Sequence, residues 1–250
     1  VDRISAKVFR HVVQFSIVSL YELQENTMLT LHHLNQSRSQ RVIWALEELS
    51  VPYQIVRYQR EKTMMAPPSL KKVHPLGKSP VIEDNGLILA ESGAILEYLQ
   101  ETYDPQSQLK PENAANKIQY RFWLHYAEGS LMPLLLMKLV FASLGKPPIP
   151  FGMRSLGKVL GGGVQKAWLN PQLETHARYI ESHLSENTWF AGEQLSMADI
   201  QMTYPIFALL ARGGIDNLPH TQAWKKRVEM RPAWQRAIQQ GGPLDIPGES

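Results

Sequence analysis

Residues 77–99, GKSPVIEDNGLILAESGAILEYL, leave the backbone few choices. Pro80 stands where a strand begins, a position that tolerates a residue with no N–H to give to the ladder. Asp84-Asn85-Gly86 separates the runs Pro80–Glu83 and Leu87–Leu89. That is a strong hairpin signal, because Asn and Gly accept the positive φ that a tight connection demands. A helix opens at Glu91-Ser92 and is expected to turn Ile95, Tyr98, Leu99 and Thr102 inward. A hairpin entered through Ser-Pro and left through Glu-Ser forms a backbone-rich cradle for a peptide-like ligand with a carboxylate at one end.

The preceding residues extend this unit. Leu29–Leu34, LTLHHL, suits a buried strand, and Asn35-Gln36-Ser37 breaks it. A helix follows with Val42, Ala45, Leu46 and Leu49 on one face, and Tyr53–Tyr58 alternates as a second strand. Strand, helix and strand in about 30 residues make a βαβ unit with parallel strands. Ala66-Pro67-Pro68 to Lys72 reads as a short helix with proline at its start. The order βαβ, helix, ββ, α predicts a thioredoxin-like fold over 28–103. The polar, proline-bounded stretch from Asp104 marks a linker over 104–112.

From 113 to 250 the pattern is all-helical. Ile118, Phe122, His125, Tyr126 and Gly129 share one helix face, whereas Lys146–Pro150 and Gly161-Gly162-Gly163 are read as breaks. Leu195-Ser196-Met197-Ala198-Asp199-Ile200 is a helix start: Ser196 the N-cap, Asp199 its capping-box partner, Leu195 a staple onto Ile200. That helix is expected to bury Ile200, Thr203, Tyr204, Phe207, Ala208 and Ala211. The six Trp and nine Met are read mainly as core. Residues 1–27 are read as an extension, disordered, loosely docked or artefactual. A targeting signal is the alternative, since Arg3, Lys7 and Arg10 precede the apolar Val12–Leu20.

Composition excludes several chemistries. The chain of 250 residues has no cysteine, so it has no disulfide, no thiolate metal ligand and no cysteine nucleophile of its own. Its net charge of +3 comes from scattered Lys and Arg, and Lys225-Lys226-Arg227 lies on a helix beside Trp and Glu. A solvated face is the reading there, and no nucleic-acid partner is expected. The eight His lack metal-ligand spacing, no phosphate loop is present, and no apolar run approaches the ~18 residues of a membrane span.

Three places hold chemistry in reserve. A cis bond at Ser79-Pro80 turns the Ser79 N–H and C=O toward an extended peptide; a trans proline opening an edge strand is the alternative. Glu91-Ser92 at a helix start offers N–H groups and a hydroxyl to a carboxylate, and Glu91 accepts an ammonium. Ser37, at the first helix's N-terminus, can hydrogen-bond a ligand thiol and favour its thiolate. In Ser37-Arg38-Ser39-Gln40 it also fits a plain N-cap.

Four motifs, NQSRSQRVIWALEEL, HPLGKSPVI, LAESGAILEYL and LSMADIQMTYP, together resemble the glutathione transferases from about Met28 to Ile238. The likeness is to the bacterial and fungal branch related to the theta class. It implies an α/β thioredoxin-like N-terminal domain plus an all-α C-terminal domain. It implies glutathione as co-substrate, conjugated to small electrophiles, with no metal. Glutathione would lie along Ser79-Pro80 with its γ-glutamyl end on Glu91 and Ser92 and its glycine end facing Lys78. The serine classes' active hydroxyl maps to Ser37, with Ser39, Asn35 and the helical-domain residues His125, Tyr126 and Ser130 as alternatives. Trp123, Tyr126 and Phe151 would line the electrophile pocket. Met64-Met65 stands where relatives often place a basic residue for the glycyl carboxylate. The family also implies a cytoplasmic homodimer serving detoxification. Glutathione-dependent reduction of peroxides or disulfides, and a non-catalytic glutathione-binding module, are the competing functions.

Overall fold

The computed structural model describes residues 28–244 and 246; the expectation for residues 1–27 lies outside them. Strands β1 (Leu29–Leu34), β2 (Tyr53–Tyr58), β3 (Val81–Asp84) and β4 (Leu87–Ala90) form one sheet in the order β2-β1-β3-β4. β1 and β2 run parallel, as a βαβ crossover through α1 (Ser39–Leu49) requires, and β3 and β4 are antiparallel to their neighbours. Pro68–Lys72 is a single 3₁₀ turn. The hairpin turns through Asn85 and Gly86, both at positive φ. Asp84 accepts from the hydroxyls of Tyr98 and Tyr103, which ties the hairpin to α2 (Ser92–Tyr103). α2 buries Ile95, Leu96 and Leu99, whereas Thr102 is exposed, contrary to expectation. Leu96, one residue beyond Ile95, fills the inward stripe instead.

The linker does more than span. Asp104 is buried and accepts from the N–H groups of Gln108 and Leu109, and Leu109 joins the core. Two long helical rods follow, each interrupted by a π turn. α3 (Ala114–Tyr126) passes through Ala127–Leu131 into α4 (Met132–Ser143). α5 (Arg154–Val164) passes through Gln165–Leu169 into α6 (Asn170–Glu186). Gly161-Gly162-Gly163, read as a break, lies inside α5. Close packing explains it: a Cβ at Gly161 would sit 2.4 Å from Phe141 O, and one at Gly157 2.2 Å from Leu144 O. The two rods can touch only through side chains that are absent. Five of the nine Met (Met28, Met64, Met65, Met153 and Met230) are exposed, so the core reading of methionine fails, while Trp168 is the only Trp left exposed among the described residues.

α7 (Met197–Arg212) is buried from Met197 to Leu209 and packs against α1, α2, α3, α4 and α8 (Pro219–Glu229). Ala211, beyond that stretch, is exposed. Its N-terminus is the expected capping box with additions: Asp199 accepts from Ser196 N–H (3.0 Å) and O–H (2.9 Å), Phe190 N–H (2.8 Å) and Trp224 Nε1–H (3.2 Å). α9 (Pro232–Gly241) returns to lie on α1. Arg231 grips Glu48 with two bonds, Arg236 pairs with Glu47, and Gln40 donates to Ala237 O.

Two stability experiments follow from this packing. Gly161→Ala is expected to destabilise by about 1–3 kcal/mol, because overpacking exceeds the up to ~1 kcal/mol that alanine gains in a helix. Gly163→Ala meets nothing within 4 Å and should gain a fraction of that; urea midpoints that move together would contradict the assignment. Burial raises the Asp199 carboxyl to about 6 against the bonds that favour its anion. The folded chain therefore holds this proton more tightly than the unfolded chain, whose ordinary value is 3.8. The stability contributed by Asp199 grows as pH falls from about 6 toward 3.8 and is lost as pH rises through 6. Asp199→Asn should be less stable at neutral pH by about 1–3 kcal/mol, since an NH₂ replaces an acceptor. It should also lack that pH slope in urea titrations; parallel slopes would refute the burial argument.

Candidate functional site

Register places three backbone stretches together. Val81 pairs with both His32 and Ala90, so the end of β1, the Ser79-Pro80 step and Glu91-Ser92 share one end of the sheet. The Ser79-Pro80 peptide is cis, and Pro80 is buried. Ser79 Oγ donates to His32 O (2.8 Å) and accepts from Leu34 N–H (3.2 Å), which carries the β1–β3 pairing past the proline. Lys78 is exposed. Glu91 is exposed at φ +73°, a conformation costing an L-residue about 1–3 kcal/mol, and serves as N-cap of α2 without a capping hydrogen bond from its side chain among the described residues. Ser92, the first residue of α2, is buried.

Ser37 sits in the turn between β1 and α1. Its hydroxyl donates to Leu34 O (2.8 Å), contacts Ser39 Oγ (2.7 Å) and accepts the Ser39 N–H (3.2 Å). Ser39 Oγ in turn lies 2.8 Å from His33 Nδ1, whose Nε2 faces Gly241 O at 2.9 Å. Burial lowers the pKa of His33. Asn35 accepts from Arg60 N–H through its side chain, and the Arg60 guanidinium holds the carbonyls of Asn35, Gln36 and Met64. The turn is rigidly held, and the Ser37 proton has Leu34 O and Ser39 Oγ as acceptors within the turn. For Ser37 to serve a thiol, that proton must exchange one acceptor for another.

A charged cluster that the sequence reading passed over lies directly behind Ser92. Arg41 of α1 is 1% exposed; its Nη1 donates to Ser92 Oγ (3.1 Å) and to Glu128 Oε1 (2.6 Å). Arg38 Nε donates to the same Glu128 oxygen (2.8 Å). Both guanidinium groups lie over the Tyr204 ring, at 5.2 Å for Arg38 and 5.6 Å for Arg41. Burial pushes the Glu128 carboxyl up, but Arg41 and Arg38 outweigh it and hold it down to about 2. Burial lowers Arg41, with Arg38 adding to the effect and Glu128 opposing it. The one legible signal was a pair of arginines three apart at a helix start. Their acidic partner is 87 residues beyond Arg41 and carries no local mark.

An open groove of about 510 Å³ runs along α3 and the π turn, lined by Ile118, Arg121, Phe122, His125, Tyr126, Gly129 and Ser130. It is the helix face expected from spacing. The three residues assigned to the electrophile pocket are not brought together in it. Tyr126 lines the groove, with its hydroxyl on His176 Nδ1. Trp123 is fully buried behind the groove, its ring 5.0 Å from those of Phe122 and Tyr126 and also against Tyr179, His183 and Phe190. Phe151 is 86% exposed at the start of the second rod. A cavity of about 790 Å³ lies at the opposite end of α1, around Glu48, Asp104 and Arg231, away from the cradle. Among the described residues no cluster of His, Asp and Glu side chains is placed to hold a metal ion, and no helix is long and apolar enough to cross a membrane.

Comparison with known proteins finds relatives over most of the chain. The model of the glutathione S-transferase N-terminal domain matches residues 27–101, and that of the C-terminal domain residues 135–232. Glutathione S-transferase 3 of Schizosaccharomyces pombe is 40% identical over 215 residues, covering 85% of this chain and 87% of its own. Glutathione S-transferase 1 of Saccharomyces cerevisiae is 31% identical over 210 residues, covering 80% and 90%. The crystal structure of a glutathione S-transferase from Actinobacillus pleuropneumoniae is 30% identical, with a TM-score of 0.72 over 87% of this chain and 95% of its own.

Proposed function

The chain belongs to the glutathione S-transferase family, and we propose that it activates the glutathione thiol for conjugation to electrophilic small molecules. The observation that carries this reading is the cradle. A cis Ser79-Pro80, the strained Glu91 and the Ser92 hydroxyl at the α2 N-terminus lie side by side, with a buried guanidinium behind them. Glutathione lies extended along Ser79-Pro80, its γ-glutamyl carboxylate at Ser92 and its ammonium on Glu91. Lys78 faces the glycine end. The open groove along α3 receives the electrophile, with Phe122 and Ile118 as apolar wall.

Ser37 is the group we assign to the thiol. A free thiol has a pKa of about 8.5, and lowering it by ~2 units takes ~2.7 kcal/mol. One charge-assisted hydrogen bond together with the α1 N-terminus supplies that. The thiolate then attacks the electrophilic carbon and expels its leaving group. With 1-chloro-2,4-dinitrobenzene the leaving group is chloride. Ser37→Ala should lower kcat/KM about tenfold to a hundredfold at pH 6.5, the loss narrowing in alkali as glutathione ionises unaided. An unchanged rate moves the role to His125 or Ser130 on the groove, and no conjugation with any electrophile would refute transferase activity itself.

We also propose a homodimer. Leu87 and Ile88 on the edge strand β4 are exposed apolar side chains for a second copy to cover. Sedimentation equilibrium should give twice 28.4 kDa; a single-chain mass at micromolar concentration would refute it.

A further inference from the structure

His33 is a buried imidazole that the chemistry described so far leaves unused, and its two nitrogens hold opposite roles. Nε2 lies 2.9 Å from Gly241 O. A carbonyl only accepts, so Nε2 carries the proton, and Nδ1 of the neutral ring is a bare acceptor. Burial lowers the pKa of the ring; the Gly241 bond opposes this, and Arg57, its register partner on β2, adds to it. The end of α9 is closely fitted to deliver that carbonyl. A Cβ at Gly241 would sit 2.3 Å from Gln40 Oε1 and 2.5 Å from Ile43 Cδ1 of α1.

Ser39 Oγ, 2.8 Å from Nδ1, is therefore the donor in that contact, with Leu34 O as a more distant acceptor at 3.2 Å. Having given its proton to His33, Ser39 Oγ accepts from Ser37 Oγ, 2.7 Å away, which shares its proton with Leu34 O. All three side chains are buried. They form a directed chain from Ser37 to Ser39 to His33 to Gly241 O. A plain helix cap accounts for the bond between Ser37 Oγ and the Ser39 N–H, and for neither the Ser39 hydroxyl nor the imidazole.

We propose that Ser37, Ser39 and His33 form a proton relay that takes up the thiol proton of glutathione. The proposal rests on the reading that Ser37 faces that thiol. The S–H bond breaks as its proton joins Ser37 Oγ; Ser37 passes its own proton to Ser39 Oγ, and Ser39 passes its own to His33 Nδ1. Each hydroxyl gains one proton and loses one. The thiol becomes thiolate and the imidazole becomes imidazolium, so the net charge is unchanged. Every hydrogen bond then points the other way, from imidazolium to Ser39 to Ser37 to sulfur, and each polarises the next. Attraction between thiolate and imidazolium offsets the burial that lowers the free ring. His33 touches no ligand; it is a positioning residue that acts through the two serines. Once chloride has left, the imidazolium returns its proton to solvent through a cavity of about 260 Å³ beside it. Arg57 and Tyr58 are the titratable groups of β2 that line this cavity, and α9 contributes the uncharged Gln239 and Gln240.

The test follows the proton. Glutathione is added to wild type, His33→Gln, Ser39→Ala, Ser39→Thr and Ser37→Ala, with circular dichroism to establish folding. Bound thiolate is read from its ultraviolet absorbance, and protons released to solvent from calorimetry in buffers of different ionisation enthalpy. Gln can accept from Ser39 and donate to Gly241 O but cannot take up a proton, so a merely structural role survives the change. At about pH 6.5 wild type should form thiolate and release about no proton, whereas His33→Gln should release about one for each thiolate formed. Its bound thiol should also ionise about one pH unit higher, lowering kcat/KM about tenfold at that pH. Ser39→Ala should match His33→Gln, and Ser39→Thr, which keeps the hydroxyl, should match wild type. Release of a full proton by wild type, or ionisation in His33→Gln like that of wild type, overturns the relay and leaves Ser37 a simple donor. If His33→Gln does not fold, wild-type behaviour of Ser39→Ala overturns it equally. A thiolate band unchanged in Ser37→Ala instead removes Ser37 from the thiol, and wild type that binds no glutathione removes the cradle reading itself.

Discussion

The fold depends on one buried carboxylate. Asp199 collects the N–H and O–H of Ser196, the N–H of Phe190 and the indole N–H of Trp224, and so fixes both the start and the direction of α7. Without those bonds the first turn of a helix buried on every side would leave orphan donors in the core. Because α7 is the surface against which α1, α2, α3, α4 and α8 pack, an error in its entry angle would spread to each. It also carries Tyr204, whose ring lies under the two arginines of the site. The capping box thus reaches the cradle through one rigid helix.

The cradle itself contains two serine hydroxyls in opposite states. Ser37 gives its proton to the turn that holds it, whereas Ser92 receives a bond from Arg41 and keeps its own. The difference comes from the neighbour: a carbonyl takes a proton and a guanidinium offers one. On the proposed reading of the site, the Ser92 end would be preorganised for a carboxylate, and the Ser37 end would need its hydroxyl to turn toward a thiol.

Much of this was readable along the chain because its causes are local. The hairpin follows from Asn85-Gly86, the parallel pair from the βαβ length, and the α7 start from Ser196 and Asp199 three apart. The misreadings also have local reasons. Three glycines in a row resemble a break, and only the nearness of Phe141 O makes Gly161 a packing residue. Thr102 and Ala211 follow a helical stripe past the point where neighbours cover it. Trp123 and Tyr126, three apart, do meet ring to ring at 5.0 Å, yet only the phenol borders the groove, because the indole is fully covered by its neighbours.

Sequence alone determined the thioredoxin-like order of elements, the Ser79-Pro80 and Glu91-Ser92 cradle, and an all-helical partner region, since each rests on backbone preferences within a few residues. Tertiary structure decided which groups stand behind the cradle. Arg41 meets Glu128 across 87 positions, and α9 returns from the end of the chain to place Gly241 O on His33. Such pairs are set by how helices pack against one another. The free energy that selects them is the burial of a whole interface, which no short window of residues contains.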